Sequence, residues 1–333
     1  MTSATAAVLF FGGAAVSLAS SWVVVSRIER MGTRFGASEA LLGLVSALAA
    51  DAPEITSSVS ALAQHRGAVG AGVVIGSNVF NLAALLGLGS VVAGTIALHR
   101  RAVLLEGSVA VWVAIACALS IAGVVTAPVG LVIVLVALVP YVALVALGGS
   151  GWRLRPDPSP LRRWLSLALS EEELELGATV RPRRGRPLDA LVGAAALAVV
   201  VAASVEMEHG AVHLGAHFAV PGILVGAVVL AAVTSVPNAV AAVYWAKRRR
   251  GTAMVSTAFN SNALNVAAGF LLPAVLLGGG HTSGSETIVV AWYLGLTVLV
   301  LVVAYGRKGL DRNVGWLIVG TYLAFVAVLT ALS

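Results

Sequence analysis

Ten apolar runs, each about twenty residues or longer, constrain this chain more than any other feature. They fall at 5–25, 38–64, 68–95, 102–122, 126–148, 187–208, 219–246, 251–277, 286–305 and 313–332. A helix of about 20 apolar residues crosses the ~30 Å hydrocarbon core of a bilayer. A water-soluble globule of 333 residues has no interior large enough for ten of them. Charged residues make up only 11% of the chain, against about 25% in soluble domains. A membrane β-barrel needs short alternating segments, and these are absent. The runs predict an all-α polytopic membrane protein with ten transmembrane helices, solvated by lipid, and they exclude a soluble enzyme.

The net charge of +6 invites a nucleic-acid reading, but the distribution of charge argues against one. Loops after odd-numbered runs carry 20 of the 21 Lys and Arg residues, and loops after even-numbered runs carry Arg66 alone. Without the long loop between the fifth and sixth runs the split is still 12 to 1. Positive-inside bias then predicts an inner (plasma) membrane protein with cytoplasmic odd loops and both termini outside. No Lys or Arg precedes the first run, while Arg27 and Arg30 follow it. This is the reverse of a secretory n-region, so the run reads as a retained first span. Cys117 is the one cysteine; it allows no intrachain disulfide and reads as a small buried side chain.

The segment 149–186 is the one long polar stretch and separates a first half, 1–148, from a second, 187–333. Within this cytoplasmic linker, "LRRWLSLALSEEELEL" reads either as a helix on the lipid surface, with Arg162 and Arg163 near headgroups, or as a plain connector.

The halves repeat one another. Pro53 precedes Ser77 of "GSNVFN" by 24 residues and Asn81 by 28; Pro237 precedes Ser261 of "NSNALN" by 24 and Asn265 by 28. Each unit (about 38–95 and 219–277) is a proline-bearing span, a short basic turn and a span with a Ser-Asn-x-x-Asn core, and one offset of 184 relates the two. The first unit begins on an even-numbered span and the second on an odd-numbered one, so they point in opposite directions. Inverted repeats with a midplane site are a common plan of secondary transporters.

Asp51 and Glu54 of "AADAPEITSS" stand mid-span, where a carboxylate costs at least ~2.5–3.5 kcal/mol. Three apart, they share a helix face, and two like charges so close call for a proton or a bound cation. Pro53 frees backbone carbonyls nearby. Ser57, Ser58, Ser77 and Asn81 from the first repeat, and Thr234, Ser235, Asn238, Ser261 and Asn265 from the second, add hydroxyl and amide oxygens. An all-oxygen set suits alkali or alkaline-earth ions, and the lack of Cys or His disfavours soft metals. The expected metal ligands are therefore Asp51, Glu54, Ser77, Asn81, Thr234, Ser235, Asn238, Ser261 and Asn265. His209, His213 and His217 form a second cluster, read as an outer loop interrupted by Gly210 and Gly215. Glu106, Glu206 and Glu208 lie near span ends and read as interfacial.

At the two repeats the chain resembles the calcium/cation antiporter superfamily, that of the sodium/calcium exchangers. Its members carry two inverted α-repeats, each with G-T-S-x-P-E followed by G-N-x-x-G-S-N-x-x-N/D. Here residues 72–81 read "GVVIGSNVFN", 233–238 read "VTSVPN", 49–54 read "AADAPE" and 256–265 read "STAFNSNALN". The resemblance implies a ten-span, five-plus-five fold that exchanges Ca2+ for Na+ or H+ by alternating access at a site shared by both repeats. It implies inorganic cations as substrates and no resident cofactor. It makes Glu54 a principal ligand and puts Asn238 where a second glutamate is expected. Asp51 stands where the family has serine and Ala50 where it has threonine. The chain thus has two acids in one repeat and none in the other. Other transported cations (Na+, K+, Mg2+), a passive channel and a non-transporting sensor or scaffold using the 149–186 loop remain open on the residues alone.

Overall fold

The structure, a computed structural model, describes residues 1–35, 39–148, 159–176, 185–278, 284–307 and 309–332. In chain order the helices begin with α1 (Ser3–Phe35), α2 (Glu39–Ala50), α3 (Ala52–Ala63) and α4 (Gly67–Ala93). A short strand β1 (Thr95–Ala97) precedes α5 (Arg100–Ile121), α6 (Ala127–Gly148) and α7 (Pro160–Leu176). The second half holds α8 (Pro187–His217), α9 (Gly222–Thr234), α10 (Val236–Lys247), α11 (Gly251–Leu277) and α12 (Gly284–Arg307). Strand β2 (Gly309–Asp311) and α13 (Arg312–Leu332) follow.

Among the described residues eight helices are long and apolar enough to cross a membrane, and α9 with α10 forms a ninth if that pair, bent by 46°, is one span. The run expected at 38–64 is instead two helices of 12 residues each, α2 and α3. The protein is an all-α polytopic membrane protein, apart from one antiparallel pair of three-residue strands with Ile96 opposite Leu310. Its outer helices show lipid-facing side chains such as Phe11, Trp22, Val136 and Leu191, all exposed. That face is what hydrocarbon covers.

The two bends have one cause. Proline cannot donate a backbone hydrogen bond, and its ring clashes with the carbonyl four residues back, but both faults vanish in a helix's first turn. Pro53 accordingly stands second in α3 and Pro237 second in α10. The breaks therefore fall two residues before each proline, at Asp51 (φ −81°, ψ −1°) and Ser235 (φ −85°, ψ 6°), two residues with nearly the same backbone conformation.

The centre belongs to α4 and α11. Their most apolar stretches are 94% and 67% buried, against 28% or less for α1, α6, α8 and α13. Each carries a π-helical turn just past its Ser-Asn-x-x-Asn motif, at Leu82–Leu88 and Asn265–Leu271. Such turns cluster at functional sites. A third occupies Val225–Leu230 of α9, where α4 and α9 nearly touch. A Cβ on Gly76 would lie 2.4 Å from the Ala227 backbone.

At one end of the molecule β1 pairs with β2, Arg101 bonds Glu171 of α7, the Gly185 amide donates to the Arg30 carbonyl, and Arg27 pairs with Asp189. These contacts join the C-terminal part of α1, the segments that follow α4 and α12, and the linker. Elsewhere, at the α3–α4 turn, Arg66 Nη1 lies 3.1 Å from Glu208 Oε1, and Gln64 bonds His209.

Several expectations change here. The segment 209–217 is the end of α8, not a loop, because Gly210 and Gly215 are tolerated inside a helix packed on its neighbours. Glu106 and Glu208 are buried rather than interfacial, while Glu206 is exposed. Burial of Glu208 is offset by Arg66, Ser60 and Gln64, all of which donate to it. Cys117 is buried, as its isolation suggested. Residues 160–176 are helical, bury Ala168 and Leu169, and leave Arg162 and Arg163 exposed. Residues 149–158 and 177–184 of the linker lie outside the described residues.

Candidate cation site

The break at Asp51 separates Asp51 from Glu54. Asp51 occupies the joint itself and Glu54 the first turn of α3, where the N-terminal helix dipole favours a negative charge. The Asp51 amide still donates to the Ala47 carbonyl at 2.9 Å and the Ile55 amide to the Asp51 carbonyl at 3.0 Å, so helical bonding runs through the joint that carries the two acids. Both are fully buried.

Every bond these carboxylates receive from another helix comes from the second half of the chain. Ser235 Oγ donates to Glu54 Oε1 at 2.7 Å, and Asn238 Nδ2 donates to Asp51 Oδ1 at 3.3 Å. The 184-residue offset maps Asp51 onto Ser235 and Glu54 onto Asn238, so these two bonds are counterparts. Ser261 Oγ adds a second donor to Asp51 Oδ1 at 2.8 Å. The carbonyl of Ala49, four residues before Pro53, accepts from Ser21 Oγ of α1 at 3.3 Å.

Four of the five asparagines of α4 and α11 continue the pattern. Asn78 Nδ2 donates to the Asn262 carbonyl at 3.1 Å, and Asn262 Nδ2 to the Asn78 carbonyl at 3.0 Å. Asn81 Nδ2 donates to Asn262 Oδ1, and Asn265 Nδ2 to Asn78 Oδ1, each at 3.3 Å. Asn238 closes the circuit by donating to Asn81 Oδ1 at 2.9 Å.

Three buried oxygens of this network, Asp51 Oδ2, Glu54 Oε2 and Asn265 Oδ1, and Ser77 Oγ on α4 have no hydrogen-bond partner among the described residues. Unmet buried acceptors are costly, and two ionised carboxylates away from water more so. A cation answers both, and the donor set of carboxylate, hydroxyl and amide oxygens fits a hard one. No cluster of three or more His, Cys, Asp or Glu side chains able to hold a metal occurs among the described residues, which includes His209, His213 and His217.

Of the nine expected ligands, Asp51, Glu54, Asn81, Ser235, Asn238, Ser261 and Asn265 meet in this network. Ser77 is buried beside it on α4. Thr234 is buried, but its hydroxyl donates to the carbonyls of Leu230 and Ala231 in its own helix. Asn78 and Asn262, absent from the expected set, hold its centre. The signal was available, since both are the second residue of a duplicated Ser-Asn pair.

The geometry has counterparts. The family model described as "Sodium/calcium exchanger protein" matches residues 5–149 and 189–331. The chain therefore belongs to the sodium/calcium exchanger protein family. The fold is similar to that of the sodium-calcium exchanger NCX_Mj soaked with 10 mM Na+ and zero Ca2+, at a TM-score of 0.64 and 18% identity, covering 98% of this chain and 99% of that one. The same exchanger soaked with 2.5 mM Na+ and 10 mM Sr2+ aligns with a TM-score of 0.64 and 20% identity over 98% and 99% of the two chains. A protein of Alkalimonas amylolytica named "Putative antiporter CaxA" is 35% identical over 82 residues, which span 24% of this chain and 26% of that protein.

Proposed function

We propose that the protein is a secondary active cation antiporter that exchanges Ca2+ for Na+ by alternating access at the Asp51–Glu54 site. The observation that carries this reading is the state of the two carboxylates. Each is fully buried, has one oxygen bonded by the opposite half of the chain, and keeps the other without a partner. Buried charge held in this way is costly as structure and useful as a cation ligand. Because both halves contribute, relative movement of the halves changes the coordination. Alternating access needs that dependence.

The reading includes ten spans in two inverted halves of five. The bent pair α9–α10 and the broken pair α2–α3 supply the ninth and tenth. Reciprocal Asn78–Asn262 bonds and the joining of the C-terminal part of α1, the segments after α4 and α12, and the linker support it. With the positive-inside bias, that end is cytoplasmic and both termini are external.

Two buried carboxyls three residues apart, each with an oxygen that no described residue bonds, favour a second reading, in which protons replace Na+ as the driving ion, since neighbouring carboxyls can share a proton. The test is uptake of radiolabelled Ca2+ into proteoliposomes driven by a Na+ gradient or by a pH gradient. One gradient is expected to drive uptake in the wild type, and Glu54→Gln is expected to abolish it. Equal uptake in wild type and Glu54→Gln would refute the site.

A further inference from the structure

Resting on the antiporter reading, we propose that the ion pair of Arg66 with Glu208 is the outer gate of this exchanger. It holds α8 against the α3–α4 turn while the site faces the cytoplasm, and it parts when the site opens outward. Arg66 is the one Lys or Arg of the outer loops, against the positive-inside bias that the rest of the chain obeys. Its partner is a fully buried carboxylate, while the Arg66 side chain is 36% exposed. A charge buried so completely is tolerable only with its partners in place, so the pair is a tie between two elements and not a surface contact.

The pair completes a wall that begins at the cation site. Outward from Glu54 along α3, Ser57 Oγ donates to the Ser204 carbonyl at 3.5 Å, Ser60 Oγ to Glu208 Oε2 at 3.0 Å, and Gln64 Nε2 to the same oxygen at 3.2 Å. Arg66 Nη1 ends the series at Glu208 Oε1, 3.1 Å away. The ten residues from Glu54 to Gln64 span ~15 Å of helix, half of the ~30 Å hydrocarbon core. Among the described residues, no member of the largest hydrophobic cluster belongs to α1 or α8. These two helices pack closely on each other instead. A Cβ on Gly13 would lie 2.7 Å from the Ala203 carbonyl oxygen, and one on Gly210 2.6 Å from that of Ala6. Their apolar contacts with α3 and the start of α4 are small clusters around Ala52, Ala61 and Val69. Three donors on one carboxylate then supply much of the hold, since charge-assisted bonds are about twice as strong as neutral ones. The cytoplasmic end lacks this lock. Carried on to α1 and α8, the 184-residue offset maps Arg66 onto Arg250 and Glu208 onto Val24. The basic turn is repeated and the carboxylate is not, so the pair favours the state closed to the outside.

Exchange of external radiolabelled Ca2+ for internal Ca2+ tests this in the full-length protein without a choice of driving ion. Right-side-out membrane vesicles present the outer face and everted vesicles the cytoplasmic face, with the uptake of vesicles lacking the protein subtracted. Half-saturation at each face varies inversely with the fraction of protein open to it. Arg66→Gln is expected to lower the outer value about fivefold, the small end of typical conformational coupling, and to leave the cytoplasmic value unchanged or raised. A merely structural role would move both faces together. Equal changes at both faces, or no change, overturn the gate and leave the antiporter reading intact. Folded wild-type protein that exchanges Ca2+ at neither face overturns both. A second variant decides independently, should Arg66→Gln not fold: Arg66→Cys with Glu208→Cys, joined by a reducible bifunctional thiol reagent. The native Cys117 is buried and does not compete. Cross-linking is expected to stop exchange and reduction to restore it. Exchange that survives complete cross-linking overturns the gate.

Discussion

The two helix breaks are nearly identical as backbone and opposite as chemistry. Asp51 and Ser235 adopt almost the same φ and ψ, and each precedes by two residues a proline in the next helix's first turn. At the first break stand two carboxylates and the serines Ser57 and Ser58. At the matching places of the second stand Ser235, Asn238, Ala241 and Ala242. The duplicated element is a shape, a joint that exposes side chains to the middle of the bundle. Charge was distributed over that shape unequally, so one half supplies the anions and the other the donors that orient them.

The largest effect is expected when the breaks are made alike. Asp51→Ser puts serine at both joints and halves the site charge. Losing one partner of a buried charge interaction costs roughly 3 kcal/mol or more, which is about 100-fold in Ca2+ affinity. Half-saturation in the flux assay should rise by that factor. Adding Asn238→Glu moves the carboxylate to the other break and should recover part of the loss. A double mutant that folds but transports no better than Asp51→Ser would show that the acid cannot be moved from one half to the other.

Next in size is the close approach of α4 to α9 at Gly76. Gly76 lets α4 meet Ala227, and the matching residue of α11 is Asn260, which bonds Ser256 of its own helix. Gly76→Ala places a methyl group against backbone and should cost ~1–3 kcal/mol. A lower melting temperature in detergent would register it, and an unchanged one would mean that the crossing relaxes freely.

Much of this asymmetry was legible before any coordinates. Apolar runs located nearly every helix, because hydrocarbon thickness leaves little choice of length. The shared offset paired the two prolines and most of the side chains that meet in the polar network. What stayed hidden depends on partners far apart in sequence. Nothing local marks Glu208 as buried, since Arg66, 142 residues away, makes that burial tolerable. Nor does a Ser-Asn pair reveal that Asn78 will bond the backbone of Asn262. The Thr234 hydroxyl donates to carbonyls within its own helix, an option that composition and spacing cannot rank.

A smaller effect tests the cross-half bond to Glu54. Ser235→Ala removes a hydrogen bond to a charged acceptor, worth ~1.5–3 kcal/mol. About tenfold weaker Ca2+ half-saturation is expected, with the maximal rate changed less. The counterpart, Asn238→Ala, removes donors to both Asp51 and Asn81 and should weaken binding at least as much. If Ser235→Ala has no effect, Glu54 is oriented by its own half, and the crosswise design proposed here is wrong.

The smallest effect concerns Ser58 and its counterpart Ala242, where the halves differ by one hydroxyl. Ser58 Oγ lies 2.8 Å from the carbonyls of both Gly70 and Gly269, which ties α3 to α4 and to the π-helical turn of α11. That tie joins the acid-bearing helix to the opposite half just beyond the site. Ser58→Ala should cost ~0.5–1.5 kcal/mol, the usual net value of one neutral hydrogen bond. Ala242 is also fully buried, so Ala242→Ser inserts a hydroxyl into a close-packed place and should destabilise as well, by ~1–3 kcal/mol if no acceptor is in reach. Both changes make the halves more alike at this position, and both are expected to lower the melting temperature. Neither should alter the Ca2+ half-saturation more than a few fold, because neither touches Asp51 or Glu54. A gain in stability from Ala242→Ser would mean that the second half already presents a matching acceptor, and the inequality between the breaks would then be confined to the charges.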